Sequence, residues 1–122
     1  MREIKFRVWD GSQIIKGHPN ILIDSSDGQI FLCKEDTYLD WTPMQYTGLK
    51  DKNGVEIYEG DVIQGNLIKY SPLPTMGKIV WDNYFSAFAN NNDAGNTLLF
   101  EINQIEIIGN IYENPELISS GA

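Results

Sequence analysis

The stretch MQYTGLKDKNGVEIYEGDVI, residues 44–63, decides how the whole chain is read. It sets Lys52, Asn53, Gly54 and Val55 between two runs of β character, YTGLKD and VEIYE. Asn-Gly tolerates positive φ at both corners of a type I′ turn, so the stretch predicts a β-hairpin closed by Asn53 and Gly54. A second tight break follows at Glu59, Gly60 and Asp61. Glycine accepts the unusual φ there, Asp61 bonds nearby amides, and DVIQGNLIKY resumes β character through Val62, Ile63, Leu67 and Ile68. Three strands in succession predict a meander.

Outward from this stretch the pattern stays β. REIKFRVW places Ile4, Phe6 and Val8 on one face and Glu3, Lys5 and Arg7 on the other, the period of two of a half-buried strand. DGSQ and GHPN read as breaks, and NILID, GQIFLCK and TYLDW as short strands separated by SSDG and KEDT, with no readable pairing. On the C-terminal side, Pro72 and Pro74 remove backbone donors, which predicts a surface loop at SPLPT. GKIVWD, YFSAFA, TLLFEI and QIEIIGNIY then supply further strands around the polar NNNDAGN. No window carries an apolar stripe of helical period over three turns. Short runs bounded by turns every 8 to 12 residues favour a mainly β barrel or roll. One helical turn is expected at the end, where Asn114 caps, Pro115 suits the first position and Glu116 suits the positive N-terminus.

Composition narrows the function classes. The 122 residues fit one domain able to bury a core without disulfides or metals, and 42% hydrophobic with 21% charged residues is the composition of an ordered chain. A net charge of −8 repels phosphate backbones; the cations Arg2, Lys5 and Arg7 sit on what a solvated strand face would equally well explain. Cys33 is the only cysteine, and no basic segment leads into an apolar run, so neither an internal disulfide nor a signal peptide is expected. No apolar stretch reaches the roughly 20 residues of a membrane helix. A soluble, cytoplasmic protein is the expectation.

The candidates for chemistry each have a plainer explanation. NNNDAGNTLLFE sets Gly95 and Glu101 at the sixth and twelfth places of a calcium loop starting at Asn90. Asn at the first place, Ala94 at the fifth and flanking β segments leave it a polar turn. His18 and Cys33 are single, so no zinc-type ligand set can be assembled in one chain, and the apolar IFLCK context suits an inert buried thiol rather than a nucleophile. Glu56, Glu59 and Asp61 beside a turn read as solvated acids rather than an acid–base pair. Neither a phosphate-binding glycine loop nor a nucleophile elbow occurs. No catalytic residue, metal site or cofactor is therefore expected. Three tryptophans and six tyrosines remain, because aromatics on small barrels form contact grooves as well as cores. Tyr46, Tyr58, Trp81, Tyr84 and Tyr112 are the candidates for an interaction surface.

Three segments, REIKFRVWD, MQYTGLKDKNGVEIYEGDVI and IEIIGNIYENPELI, together resemble the YopX family, small proteins encoded mainly by bacteriophages and prophages. The resemblance implies an SH3-like β barrel in the C-terminal part, a capacity for self-association and no established biochemical activity. The resulting reading is a single domain, 1–122. It has a β-rich N-terminal part at 1–43, an SH3-like barrel part at 44–114 and a short helical turn and tail at 115–122. Its expected role is non-enzymatic, through contacts with itself and an unidentified protein in a bacterial cell. The alternative is a nucleic-acid-binding or DNA-mimic module on the same barrel.

Overall fold

A computed structural model describes residues 5–16, 21–23, 30–34, 37–39, 42–70 and 73–118. His18, Trp41, Arg2 and Pro72 lie outside the described residues, as does the side chain of Cys33. The structure is mainly β, and every strand pairing among the described residues is antiparallel. Its contacts divide the chain into two compact units, 1–45 and 46–122.

In the first unit β1 (Phe6–Trp9) pairs with β2 (Ile14–Lys16) and with the opening residues of β6 (Thr42–Lys50). The DGSQ turn that joins β1 to β2 is held by Asp10, whose Oδ1 accepts the Ser12 and Gln13 N–H groups at 2.8 Å each. The three short strands expected across 21–39 form a meander of β3 (Ile21–Ile23), β4 (Ile30–Lys34) and β5 (Thr37–Leu39), with Cys33 opposite Tyr38. Arg7 corrects one expectation: it is buried beside Val8, so it does not belong to a solvated basic face.

The second unit holds the rest of β6, β7 (Glu56–Tyr58) and a five-stranded sheet of order β11-β10-β9-β8-β12. Its strands are β8 (Asp61–Leu67), β9 (Leu73–Asp82), β10 (Ala87–Asn92), β11 (Gly95–Leu98) and β12 (Ile102–Asn110). The β6–β7 hairpin is present, but its turn is not type I′. Only Gly54 has positive φ, +82°, while Gly54 N–H donates to Asp51 O at 3.0 Å and Asp51 N–H to Val55 O at 2.8 Å. That is a three-residue loop with a left-handed glycine closing it, the alternative that Asn-Gly equally permits. Gly60 does turn the chain into β8 as expected, at φ +85°, with its N–H on Ile79 O and its carbonyl accepting Ile111 N–H.

Pro74 lies inside β9, paired with Asn66, rather than in a loop. β10 pairs β9 only from Lys78 onward, so at Pro74 the strand has a free side and no ladder bond is lost. The terminal turn is a 3₁₀ helix, Pro115–Ile118. Asn114 supplies its carbonyl to Leu117 N–H, but its side chain turns back to accept Asn110 N–H at 3.2 Å instead of capping forward. Ile57, Ile63, Ile79, Phe88, Leu99 and Ile102 form the core, with Leu67, Ile105 and Ile107 packed on it. Each such side chain contributes roughly 1.5–3 kcal/mol through burial.

Candidate functional site

The feature of the second unit that core packing does not use is a set of rings at one end of its sheet. In β9 the alternation that buries Ile79 puts Trp81 on the same face, across from Phe88 of β10. The Trp81 and Phe88 rings meet edge to face at 5.0 Å, Phe88 buried and Trp81 still 41% exposed. Between the strands, Asp82 organises the turn: its Oδ1 accepts Tyr84 N–H at 2.8 Å and Phe85 N–H at 3.0 Å, and its Oδ2 accepts the Asn96 amide at 3.0 Å. The Asn96 amide, then the Phe85 N–H, hold this carboxyl below its ordinary range, against a small opposing effect of burial. Ser86 completes the turn in the left-handed region at φ 49°.

So held, Tyr84 and Phe85 project as a pair, rings edge to face at 4.8 Å, 88% and 60% exposed. Phe100 stands in the 3₁₀ turn that leaves β11 alongside β10. Leu98 of β11 lies opposite Ala89 of β10, so the 3₁₀ turn Leu99–Glu101 runs on toward Ala87 and the 83–86 turn. There Leu99 enters the core and Phe100 is left 75% exposed.

The structure thus places Trp81 and Tyr84 of the sequence candidates at the β9–β10 turn end of the sheet and the other three elsewhere. Tyr46 and Tyr58 are buried, opposite one another across β6 and β7 with ring centroids 5.5 Å apart, so they pack the fold and offer no surface. Tyr112 is half-buried in the turn after β12, at the opposite edge of the sheet from β10 and β11. Phe85 and Phe100 are the residues that sequence reading missed. Two adjacent rings inside the polar turn DNYFS, out of register with strand alternation, were the available signal. A second signal was charge: residues 79–122 contain six acids and no Lys, Arg or His, although the chain has nine Lys and Arg.

On β8, β9 and the bulged part of β12, an open groove of about 380 Å³ is lined by Lys52, Gln64, Asn66, Thr75, Met76 and Glu106, with Gln104 beside them. Glu106 accepts the Gln64 amide at 2.9 Å and faces Lys52 Nζ at 3.5 Å. The Gln64 hydrogen bond, then the Lys52 charge, keep it ionised below its ordinary range. Its oxygens are engaged within the chain, and a carboxylate held in that form is a poor proton donor near neutrality. Among the described residues no group of three or more His, Cys, Asp or Glu could hold a metal ion, and no helix is long and apolar enough to cross a membrane.

Fold and site together define a small antiparallel β protein whose marked surface is made of rings. Residues 5–119 match the model of the YopX protein family, and the chain belongs to that family. The crystal structure of protein EF1440 from Enterococcus faecalis is similar at 28% identity and a TM-score of 0.67, over 98% of this chain and 100% of that one. The crystal structure of YopX from Bacillus subtilis shares the fold at 20% identity and a TM-score of 0.59, over 98% of each chain. No curated protein matches the chain.

Proposed function

We propose that this chain is a non-enzymatic, phage- or prophage-encoded protein that acts through protein–protein contacts, including contacts with a second copy of itself. The observation that carries the reading is the aromatic end of the five-stranded sheet. Tyr84, Phe85 and Phe100 expose most of their surface there, and an exposed cluster of large apolar side chains is stabilised by being covered. Aromatic residues are also enriched at the centres of protein interfaces. Sedimentation velocity across a concentration series tests it. The expected result is a sedimentation coefficient that rises with concentration in the natural chain and not in the Tyr84→Ser/Phe85→Ser variant. A monomer at every concentration, with no phage or host protein retained in pull-downs, would sink the reading.

The second reading is a nucleic-acid-binding or DNA-mimic module on an SH3-like barrel. Lys50 and Lys52 at the β6–β7 turn support direct binding, and the cation-free run 79–122 supports mimicry. Retention of single- or double-stranded probes at ~50 mM salt supports binding, since phosphate contacts strengthen steeply as salt falls. No retention at that salt removes it.

A further inference from the structure

We infer that the aromatic end of the second unit docks a basic segment of a partner polypeptide, one that presents arginine side chains. This rests on the contact reading above and names the partner's chemistry. Two independent observations meet at the same place. The first is the set of rings already described: Tyr84, Phe85 and Phe100 are largely exposed, and Trp81, packed on Phe88, keeps part of its surface in solvent. The second is charge: Asp82, on the face of β9 opposite Trp81, anchors the turn that carries Tyr84 and Phe85, Glu101 follows Phe100, and no Lys, Arg or His occurs anywhere in residues 79–122.

A purely apolar partner would gain from the rings but would gain nothing from the carboxylates beside them. A nucleic acid would meet negative charge on approach. A guanidinium satisfies both features. Its plane stacks on an aromatic face, where the ring quadrupole attracts a cation, and its N–H fork reaches a neighbouring carboxylate. Glu101 is the carboxylate open to such a partner. Asp82 keeps its charge while its oxygens hold the turn, so it acts through the field and through the placement of Tyr84 and Phe85. Lysine would take the charge component but stack less well, so the surface discriminates between the two cations.

The test is calorimetric titration of the full chain with nona-arginine, nona-lysine and nona-glutamate peptides at ~50 mM salt, where exposed charges are weakly screened. Nona-arginine is expected to bind saturably and more tightly than nona-lysine, with no binding of nona-glutamate. Tyr84→Ser/Phe85→Ser should weaken nona-arginine about tenfold, in line with losing two cation–π contacts. Asp93→Asn, which removes a charge at the far end of the β10–β11 hairpin from the rings, should change it less than about twofold. Any of three results overturns the inference: no binding of nona-arginine, equal affinity for the two cationic peptides, or a ring variant that binds as well as the natural chain. Duplex DNA bound at the same salt and lost in the ring variant overturns it in favour of a nucleic-acid surface. The sedimentation series on the ring variant separates the two levels. If peptide binding fails but association still depends on Tyr84 and Phe85, only the basic partner is lost; if neither depends on them, the contact reading falls too.

Discussion

Asp51 stands where a neighbouring strand would otherwise be needed. Its Oδ1 accepts Asn53 N–H at 2.8 Å and Val55 N–H at 2.9 Å, and its Oδ2 reaches Ile107 N–H at 3.1 Å, on the free side of β12. Lys52 N–H adds a bond to Ile105 O at 2.8 Å, so the turn and one side chain cover a strand edge that would otherwise template association. The hairpin was legible in Asn53-Gly54, because turn chemistry is local. The bond to Ile107 was not, because it joins positions 56 residues apart that only the folded sheet brings together. Replacing Asp51 with Ala leaves these N–H groups without their acceptor and is expected to cost about 1–3 kcal/mol in denaturant unfolding at neutral pH. Burial by itself raises the Asp51 pKa, but the Val55, Ile107 and Asn53 N–H groups with the Lys52 charge outweigh it, and the net shift is downward. A carboxyl whose folded pKa is depressed stabilises fully above its unfolded value and loses that contribution as pH falls through the folded one. Asp51→Asn should therefore be less stable at neutral pH and show a flatter loss of stability below about pH 4, measured by urea unfolding across pH.

At the scale of elements, period-two alternation placed most strands, yet it could not say which face would be buried or where a strand would slip. β12 slips twice against β8, between Asn103 and Glu106 and between Ile107 and Gly109. Gln104 lies within the first slip at φ 55°, a conformation that costs an L-residue about 1–2 kcal/mol and that no alternation pattern in QIEIIGN announces. Gln104→Gly is expected to leave thermal stability unchanged or slightly raised, because relief of that cost offsets the entropy of glycine. Gln104→Val should lower stability by about 1–2 kcal/mol, since a branched Cβ fits the left-handed region worst. Equal effects of the two would show that the bulge relaxes. In β9 the constraint is room. A Cβ on Gly77 would strike the Asn91 carbonyl and would come within 2.5 Å of Oδ1 of the fully buried Asn90. Asn90 lies across this position, its Nδ2 3.4 Å from Thr75 Oγ1. Gly77→Ala is expected to cost about 1–3 kcal/mol, as overpacking of a close backbone approach does. Sequence reading took Gly77 for the start of a strand, because nothing local marks a close approach from a neighbouring one.

Across the whole molecule, the core and the proposed contact surface occupy different residues of the second unit, and that division is open to measurement. The core residues Ile57, Ile63, Ile79, Phe88, Leu99 and Ile102 are buried together, while Tyr84, Phe85 and Phe100 extend from the end of the same sheet. The segregation of charge was fully legible in the sequence, as residues 79–122 carry acids only; the rings that accompany it were not, because exposure of Tyr84 and Phe85 depends on the turn that Asp82 holds. If the rings serve contact rather than folding, removing them should be nearly silent in the isolated chain. Tyr84→Ser/Phe85→Ser is then expected to shift unfolding free energy by less than about 0.5 kcal/mol per site, the range of surface substitutions away from structural features. Ile63→Ala, which empties a fully buried position of β8, should cost about 2–5 kcal/mol. For a chain of this size that separates the two variants by roughly 5 °C or more in Tm by calorimetry. A ring variant as unstable as Ile63→Ala would mean that Tyr84 and Phe85 hold the sheet end together, and their exposure would then need no partner.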